Sequence, residues 1–426
     1  MHRRATSASA FPTTSESGAA MASVDTTNIL GFCDDRFRKV RDEFIANFQD
    51  RGEIGASVAI YLDGKPMVDL WGGIADAATG RPWEEDTMAV VFSATKGMAA
   101  TCLHMLAERG LLDFNAPVAT YWPEFAANGK GDITVAMALS HQAGVPLFQN
   151  DLPVGVFNGF DLLAERLAAE TPVWEPGTTH GYHAVTIGLI EGELVRRITG
   201  RTIGTFLREE VARPLGADIW IGLPESEEER VATLYLSAPD PQSPLQQKFK
   251  SDPNWIGRKL GTNSGDDLSY VNARIRHAEE IPASGGIASA RGLARLYAPL
   301  SRDGAVDDVC LLQPASLHAM REVRSASDCD QILRVPTTFT LGFSKTWGSR
   351  RLGTGQHVIL GKDAFGTPGL GGSIGFADSD ARLSFGYVMN KHGSGVGLSE
   401  RGQGLIDAAY QALGFTTSAP GFWVRA

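Results

Sequence analysis

A serine and a lysine stand three residues apart in the segment Phe92-Ser93-Ala94-Thr95-Lys96-Gly97. The residues from there to Gly110 place apolar side chains at helical spacing, so Ser93 and Lys96 should share one face at the start of a helix. Serine becomes a strong nucleophile only when a neighbouring base accepts its proton, and a lysine whose pKa is lowered by its surroundings can be that base. The spacing therefore predicts an activated serine, although a chain of this length holds about one such motif by chance.

A second serine lies in Gly371-Gly372-Ser373-Ile374-Gly375, which matches the G-x-S-x-G nucleophile elbow. That elbow requires a strand before the serine and a helix after it. The residues after Ser373 read instead as a turn followed by a strand over Leu383 to Val388. Its partners would also have to come from Asp378 or Asp380 and His392, all within twenty residues. We interpret this segment as a glycine-rich edge strand.

A tyrosine follows the Pro176-Gly177 turn, on a short loop before an apolar helix that begins near Thr186. A phenol beside Ser93 and Lys96 can act as general base or proton relay if a cation holds it partly as phenolate. The alternative interpretation of Tyr182 is a half-buried packing residue. The segment alone favours packing.

Histidines flank this tyrosine in His180-Gly181-Tyr182-His183. Two histidines at this spacing can bind a metal, but no cysteine or carboxylate cluster nearby would complete the site. We therefore predict no metal. We expect His183 to orient the Tyr182 loop and His141 to make a structural hydrogen bond at a helix end.

Charge and cysteine content exclude several classes of protein. The 426 residues carry 39 Lys and Arg against 49 Asp and Glu, a formal charge of −10. A negative chain lacks the counterion-release term that drives binding to nucleic acid. The four scattered cysteines form neither a disulfide framework nor a metal motif, so we expect a reducing compartment. No stretch approaches the roughly 20 apolar residues that span a bilayer.

Hydrophobic periodicity predicts strands at both ends of the chain and helices between them. A helix from Thr27 to Arg51 should precede a hairpin that turns at Asp63-Gly64. Further helices are predicted over Thr95 to Gly110, Ile133 to Ser140, Phe160 to Glu170, Thr186 to Arg197, Ile203 to Val211, Ala290 to Leu300 and Leu405 to Leu413. Further strands are predicted over Phe339 to Trp347, His357 to Leu360, Gly372 to Ala377 and Leu383 to Met389. The polar segment from Ser237 to Asp267 reads as a long loop.

This order predicts an α+β fold in which one antiparallel sheet is built from both ends of the chain. Residues 1–25 lack the apolar run of a secretory signal and read as a flexible extension. Residues 26–426 would form one hydrolase domain. Its α/β subdomain would comprise 26–92 and 285–426, with a helical subdomain at 93–284 inserted between them. We expect a cytoplasmic protein, and the sequence leaves its oligomeric state open.

Four motifs in a fixed order resemble those of the serine β-lactamase and penicillin-binding-protein superfamily, and most closely the class C β-lactamase-like family VIII carboxylesterases. They are F-S-A-T-K-G from Phe92, L-S-H-Q-A-G from Leu139, W-E-P-G-T-x-x-x-Y-H from Trp174, and G-T-P-G-L-G-G-S-x-G-F-A-D from Gly366. The resemblance extends from about Ile29 to Phe415. It implies the β-lactamase/DD-peptidase-like fold, an antiparallel sheet flanked by helices.

The resemblance also implies the role of each site residue. Ser93 would be the acylated nucleophile, with Lys96 and Tyr182 as its partners in proton transfer. Thr367-Pro368-Gly369 would occupy the place of the family's K-T-G. The backbone N–H groups of Ser93 and Leu370 would form the oxyanion hole, because backbone donors need no particular side chain.

Two departures from the family pattern concern β-lactam binding. Ala184 stands where Y-x-N has asparagine, and Thr367 stands where K-T-G has lysine. Those side chains help β-lactamases to hold the drug. We therefore expect a cofactor-free carboxylesterase that acts on short-to-medium acyl esters through an acyl-enzyme, with weak β-lactam hydrolysis at most. A β-lactamase, a D-amino-acid peptidase, an acyltransferase or a catalytically idle penicillin-binding-like module are the alternatives. The expected substrate-contacting residues are Thr367, Gly369, Trp347, Phe148 and His183, with Phe157 and Phe160 as further wall residues.

Overall fold

A seven-stranded antiparallel sheet is the central element of the computed structural model, which describes residues 28–150, 152, 159–259, 270–417 and 421–426. Strands β2 (Gly55–Leu62) and β3 (Lys65–Asp76) form the predicted hairpin. Asp63 and Gly64 connect them with φ of 54° and 80°. Positive φ at both turn positions matches the twist of the flanking strands, so the hairpin prediction is confirmed.

Strands from both ends of the chain pair in this sheet. Besides β2 and β3, its members are β1 (Leu30–Cys33), β4 (Arg81–Pro82), β12 (Phe365–Pro368), β13 (Ile374–Asp378) and β14 (Leu383–Met389). The strand order is β1-β3-β2-β14-β13-β12, and β4 pairs with β3. In the central pair, Ala59 of β2 lies opposite Gly386 of β14. The division into subdomains at 92/93 and 284/285 stays a prediction.

The two faces of the sheet are covered by different helices. Helix α10 (Ala290–Leu300) packs against β2, β13 and β14, and Gly386 lets its backbone approach the sheet closely. Helices α1 (Arg38–Asp50) and α12 (Glu400–Ala412) cover the opposite face of the sheet and pack against each other. Alternate residues of β2 divide between these two cores, as the two-residue period of a strand requires.

Helices dominate the middle of the chain. These are α2 (Thr95–Glu108), α3 (Val135–Leu139), α4 (Phe160–Ala169), α5 (Thr186–Thr199), α6 (Ile203–Leu207), α7 (Arg213–Leu215), α8 (Pro244–Ser251) and α9 (Arg274–Ala278). A small sheet of β5 (Ala89–Phe92), β7 (Gly286–Ala288) and β6 (Ile219–Ile221) joins this region to the large sheet. Within the described ranges, no helix is long and apolar enough to cross a membrane.

Short elements complete the fold. They are α11 (Pro314–Arg321), β8 (Ala305–Val306), β9 (Val309–Cys310), β10 (Ser325–Ser327), β11 (Thr337–Phe339), β15 (Phe415–Thr417) and β16 (Trp423–Arg425). Each of the three pairs β8–β9, β10–β11 and β15–β16 forms a two-stranded antiparallel sheet.

Several predicted elements differ from the structure. The first helix begins only at Arg38, because Leu30–Cys33 pairs with β3 as an edge strand. The strand predicted from Phe339 to Trp347 is wrong beyond Phe339, where Gly342 with φ of 87° turns the chain against α2. Of His357 to Leu360, only Val358 makes a bridge, to Trp347. The predicted loop from Ser237 contains α8, and residues 260–267 lie outside the described chain, as does the extension 1–25.

Candidate active site

Ser93 lies at the junction of β5 and α2, directly after a strained residue. Phe92 has φ of 44°, which a bulky side chain rarely adopts. The Thr95 hydroxyl donates to the Phe92 carbonyl, and the Lys96 N–H donates to the Ser93 carbonyl at 3.0 Å. This tight turn presents Ser93 at the first turn of α2. Strain of this kind is maintained only where surrounding structure enforces it, and it is common at functional sites.

Lys96 contacts Ser93 directly and is almost entirely buried, with 1% of its surface exposed. Its Nζ lies 3.1 Å from Ser93 Oγ, 2.8 Å from the Ala184 carbonyl and 2.9 Å from the Ala283 carbonyl. A neutral amine has two N–H donors and one lone pair. The two carbonyls can accept both N–H groups, which leaves the lone pair for the Ser93 hydroxyl. The geometry can therefore support proton transfer from serine to lysine.

Tyr182 lies on the other side of Lys96. The Lys96 Nζ lies 4.8 Å from the centre of the Tyr182 ring, a cation–π distance. Ala184, at the position of the missing asparagine, supplies the carbonyl that holds Lys96. The structure thus brings Ser93 and Tyr182 together around the Lys96 Nζ.

Two buried histidines support the Tyr182 loop. The His183 Nε2 accepts from the Val145 N–H at 3.1 Å, and its Nδ1 lies 2.7 Å from the Gly181 carbonyl. Burial lowers the pKa of His183 to about 3. His141 Nδ1 accepts from the His183 N–H at 3.0 Å, and its ring contacts Tyr182. Burial, reinforced by His183 and Lys96, holds the pKa of His141 well below its ordinary value. Both rings are therefore neutral scaffolding near pH 7.

The edge strand β12 brings the proposed oxyanion donor to Ser93. A Cβ on Gly369 would clash with the Val91 carbonyl and lie 3.4 Å from the Ala94 nitrogen, so the two backbones are in close contact. Leu370 follows and, like Ser93, lines the same cavity. Ser373 is buried at the start of β13 and is followed by a strand, which excludes the nucleophile elbow.

The cavity beside Ser93 has a volume of about 260 Å³ and a mainly apolar wall. Lys96 is the one Lys, Arg, Asp or Glu side chain that lines it among the described residues. Other wall residues come from the 330–347 segment, from β12 and from α8: Leu245, Phe249, Leu333, Phe339, Phe343, Trp347, Thr367 and Pro368. Such a wall suits an uncharged, apolar substrate.

Three predicted substrate residues are not among the residues that line the cavity. Phe148 is buried in the core, and His183 bonds the Val145 N–H and the Gly181 carbonyl. Gly369 faces Val91, so its contribution is close backbone packing. Trp347 and Thr367 line the cavity, and their contact with substrate stays a prediction. Phe157 lies outside the described residues, and Phe160 packs against α5 at Gly192.

Two buried carboxyl groups near the site, those of Glu191 and Asp330, are not indicated by any sequence motif. Glu191 on α5 has no exposed surface, and burial raises its pKa well above the ordinary value while Lys96 opposes the rise. Asp330 accepts a hydrogen bond from the backbone N–H of Tyr182 at 3.0 Å. The two are 148 residues apart in sequence, so no local pattern signals their contact.

The fold and this site define a class of protein. Residues 41–409 match the family model described as Beta-lactamase. The chain belongs to the beta-lactamase family and is a serine hydrolase of that superfamily. The resemblance inferred from the four motifs is confirmed.

The individual relatives are named as esterases, beta-lactamases and a penicillin-binding-protein homologue. The chain is 35% identical over 375 residues to the esterase/beta-lactamase LipL of Mycobacterium tuberculosis, covering 85% of this chain and 83% of that protein. A family VIII carboxylesterase structure is 39% identical, with a TM-score of 0.79 over 90% of this chain and 99% of its own. A penicillin-binding-protein homologue from Caulobacter crescentus is 37% identical, with a TM-score of 0.78 over 90% and 100%.

Proposed function

We propose that the chain is a serine carboxylesterase that cleaves short-to-medium acyl esters through an acyl-enzyme on Ser93. One observation carries the proposal. The Ser93 hydroxyl touches the buried amine of Lys96 at the wall of an apolar cavity, and no other Lys or Arg and no Asp or Glu lines that cavity among the described residues. The named esterase relatives support the same class of reaction.

In acylation, Ser93 Oγ attacks the ester carbonyl while its proton passes to the Lys96–Tyr182 pair. The backbone N–H groups of Ser93 and Leu370 stabilise the oxyanion. Collapse of the tetrahedral intermediate breaks the carbon–oxygen bond to the alcohol. The proton held by the pair goes to the departing alkoxide, which leaves an acyl group on Ser93.

Deacylation repeats these steps with water. The Lys96–Tyr182 pair accepts a proton from the water as its oxygen attacks the acyl carbonyl. The second intermediate releases the carboxylic acid, and the proton returns to Ser93 Oγ. Neither half-reaction requires a cofactor.

The polar contacts of the cavity favour neutral esters over β-lactams. Thr367 and Ala184 supply neither the cation nor the amide that the resemblance assigns to drug binding. A volume of about 260 Å³ lies slightly below the roughly 300 Å³ at which typical ligand pockets begin, which suits a short acyl group. We therefore propose weak β-lactam hydrolysis as a side activity at most.

The test is a panel of p-nitrophenyl esters of increasing chain length, with nitrocefin alongside, on wild type, Ser93→Ala and Ser373→Ala. We expect turnover of the shorter esters, slow turnover of nitrocefin, and loss of both in Ser93→Ala. Ser373→Ala is the matched control and should retain ester turnover. Full turnover of p-nitrophenyl butyrate by Ser93→Ala would overturn the proposal.

We also propose a cytoplasmic location. The four cysteines Cys33, Cys102, Cys310 and Cys329 are all unpaired, which suits a reducing compartment. Cell fractionation with immunodetection checks this, and recovery outside the cytoplasm would contradict it.

A further inference from the structure

Asp330 is a carboxylate with no exposed surface that holds the backbone of the catalytic-tyrosine loop. Its Oδ1 accepts from the N–H groups of Tyr182 at 3.0 Å, Ile332 at 2.7 Å and Leu333 at 2.8 Å. Two of these bonds close the turn that Asp330 begins, and the third crosses to Tyr182. One oxygen atom therefore fixes the loop relative to the turn.

The second oxygen of Asp330 reaches the same loop by another route. The Thr337 hydroxyl donates to Oδ2 at 3.2 Å, and His180 Nε2 lies 2.8 Å from Thr337 Oγ1. The Gln331 N–H also donates to the His180 carbonyl at 3.3 Å. His180 precedes Tyr182 by two residues, so the loop is held at two points.

The side chain of Tyr182 depends on the same segment of chain. Phe339, at the end of β11, stacks on the Tyr182 ring with centres 6.2 Å apart and planes at 24°. Residues 180–184 have no helical or strand hydrogen bonding of their own. Their position must therefore come from outside the loop. His141 and Val145 hold His183, and Asp330 holds the backbone of Tyr182 itself.

We propose that Asp330 is a positioning residue that places the Tyr182 hydroxyl for proton transfer. The inference rests on the proposed function, because it requires Tyr182 to act in the reaction. A displacement of about 1 Å in a reacting group can cost on the order of 10²-fold in rate. Asp330 does not line the cavity, so its loss should lower kcat and leave KM nearly unchanged.

Asp378 offers a matched control. It is equally buried, its Oδ1 accepts from the N–H groups of Asp380 at 2.9 Å and Ala381 at 3.1 Å, and its Oδ2 accepts from the Tyr410 hydroxyl at 2.7 Å. Asp378 ends β13 at the side away from Pro368, which pairs with Ile374 at the strand's other end. Replacing Asp378 removes a similar set of buried hydrogen bonds, none of which involves Tyr182.

The experiment measures kcat and KM for p-nitrophenyl butyrate, together with thermal unfolding, in Asp330→Ala, Asp330→Asn and Asp378→Ala. Asp330→Ala should lower kcat about 10²-fold with KM within about twofold. Asp330→Asn keeps an oxygen for the three N–H groups and should recover at least tenfold of that loss. Asp378→Ala should lower the unfolding temperature and keep kcat. Equal kcat values for Asp330→Ala and Asp378→Ala would overturn the inference.

A double-mutant cycle with Tyr182→Phe tests whether Asp330 acts through the tyrosine hydroxyl. The kcat loss caused by Asp330→Ala should shrink to less than about twofold in the Tyr182→Phe background. If Asp330→Ala does not fold, Asp330→Asn takes its place, with a loss of about threefold expected only when the hydroxyl is present. A loss of the same size in both backgrounds, or no loss, contradicts the inference. If Ser93→Ala is inactive when such a result is obtained, the inference about Asp330 fails and the proposed function stands.

Discussion

The Ser93–Lys96 pair and the Tyr182 loop meet at one site but are positioned in different ways. Ser93 and Lys96 are three residues apart at the start of α2, and their 3.1 Å contact follows from the geometry of one helical turn. Tyr182 lies in a loop, outside any helix or strand. Its position depends on His141, Asp330 and Phe339, which come from distant parts of the chain.

The Ser93–Lys96 contact is thus determined by local sequence, whereas the position of Tyr182 is determined by residues distant in sequence. Formation of α2 is enough to bring the Ser93 and Lys96 side chains together. The position of Tyr182 also requires contacts with the 330–339 segment. We therefore expect substitutions on α2 to act on chemistry directly, and substitutions around Tyr182 to act through position.

Replacing Lys96 with methionine should have the largest effect. The variant keeps the length of the side chain and removes the amine that contacts Ser93, so we expect kcat/KM to fall about 10⁴-fold, the upper range for a general base. Steady-state ester hydrolysis measures this. Lys130 is the matched control, since it is also buried and donates to the carbonyls of Ala127 and Glu170. Retained activity in Lys96→Met, or an equal loss in Lys130→Met, would contradict the assignment.

Tyr182→Phe comes next, with an expected fall in kcat of about 10³-fold. The ring and its stacking on Phe339 remain, so only the hydroxyl is tested. Tyr410→Phe removes a buried hydroxyl that bonds Asp378 and does not line the cavity, so it should leave kcat unchanged. If Tyr182→Phe keeps wild-type kcat, the phenol is a packing group and Lys96 acts alone.

The local half of this comparison could be predicted from sequence. The α2 helix, the hairpin at Asp63-Gly64 and β14 follow from periodicity and turn chemistry, and β14 has the predicted limits Leu383 to Met389. The Ser93–Lys96 contact needs only that helix. The strand context that excludes Ser373 as a nucleophile is also local.

The other half depends on contacts that no local pattern contains. Asp330 shows no motif, because its role arises from a hydrogen bond across 148 residues. The strand expected after Phe339 fails because tertiary packing against α2 places a left-handed turn at Gly342. The exposed first strand has helical spacing of apolar residues, and only its pairing with β3 reveals it. In each case a partner distant in sequence decides the conformation.

Gly369→Ala tests the close approach of β12 to the turn that holds Ser93 and should have a smaller effect on kcat. An added methyl group would clash with the Val91 carbonyl, so the strand must move and carry the Leu370 N–H away from its position. We expect kcat to fall about 10²-fold, as for the loss of one oxyanion donor. Gly131→Ala is the control, because a Cβ there meets nothing within 4 Å. Unchanged kcat in Gly369→Ala would show that Leu370 does not stabilise the oxyanion.

The smallest expected effect is a change in stability at acid pH. It tests whether a substitution on α2 can change the stability of the fold without changing ester turnover. His104 on α2 is buried between aromatic rings, with Nε2 2.9 Å from the Leu341 carbonyl. Burial lowers its pKa from 6.5 to about 4. The unfolded chain therefore binds more protons than the folded one between these values, so stability is lost as pH falls from 6.5 towards 4.

At pH 5 this one group should cost about 2 kcal/mol relative to pH 7.5. His104→Gln removes the titration while keeping a hydrogen-bond donor, so its free energy of unfolding should fall by about 2 kcal/mol less than that of wild type over the same interval. Urea unfolding at both pH values measures the difference, and His318→Gln, which replaces an exposed histidine, should behave as wild type. Ester turnover at pH 7.5 should be equal in all three proteins, because His104 lies on α2 without contacting Ser93. An equal acid-induced loss in His104→Gln and wild type would mean that the buried ring is not the group that titrates.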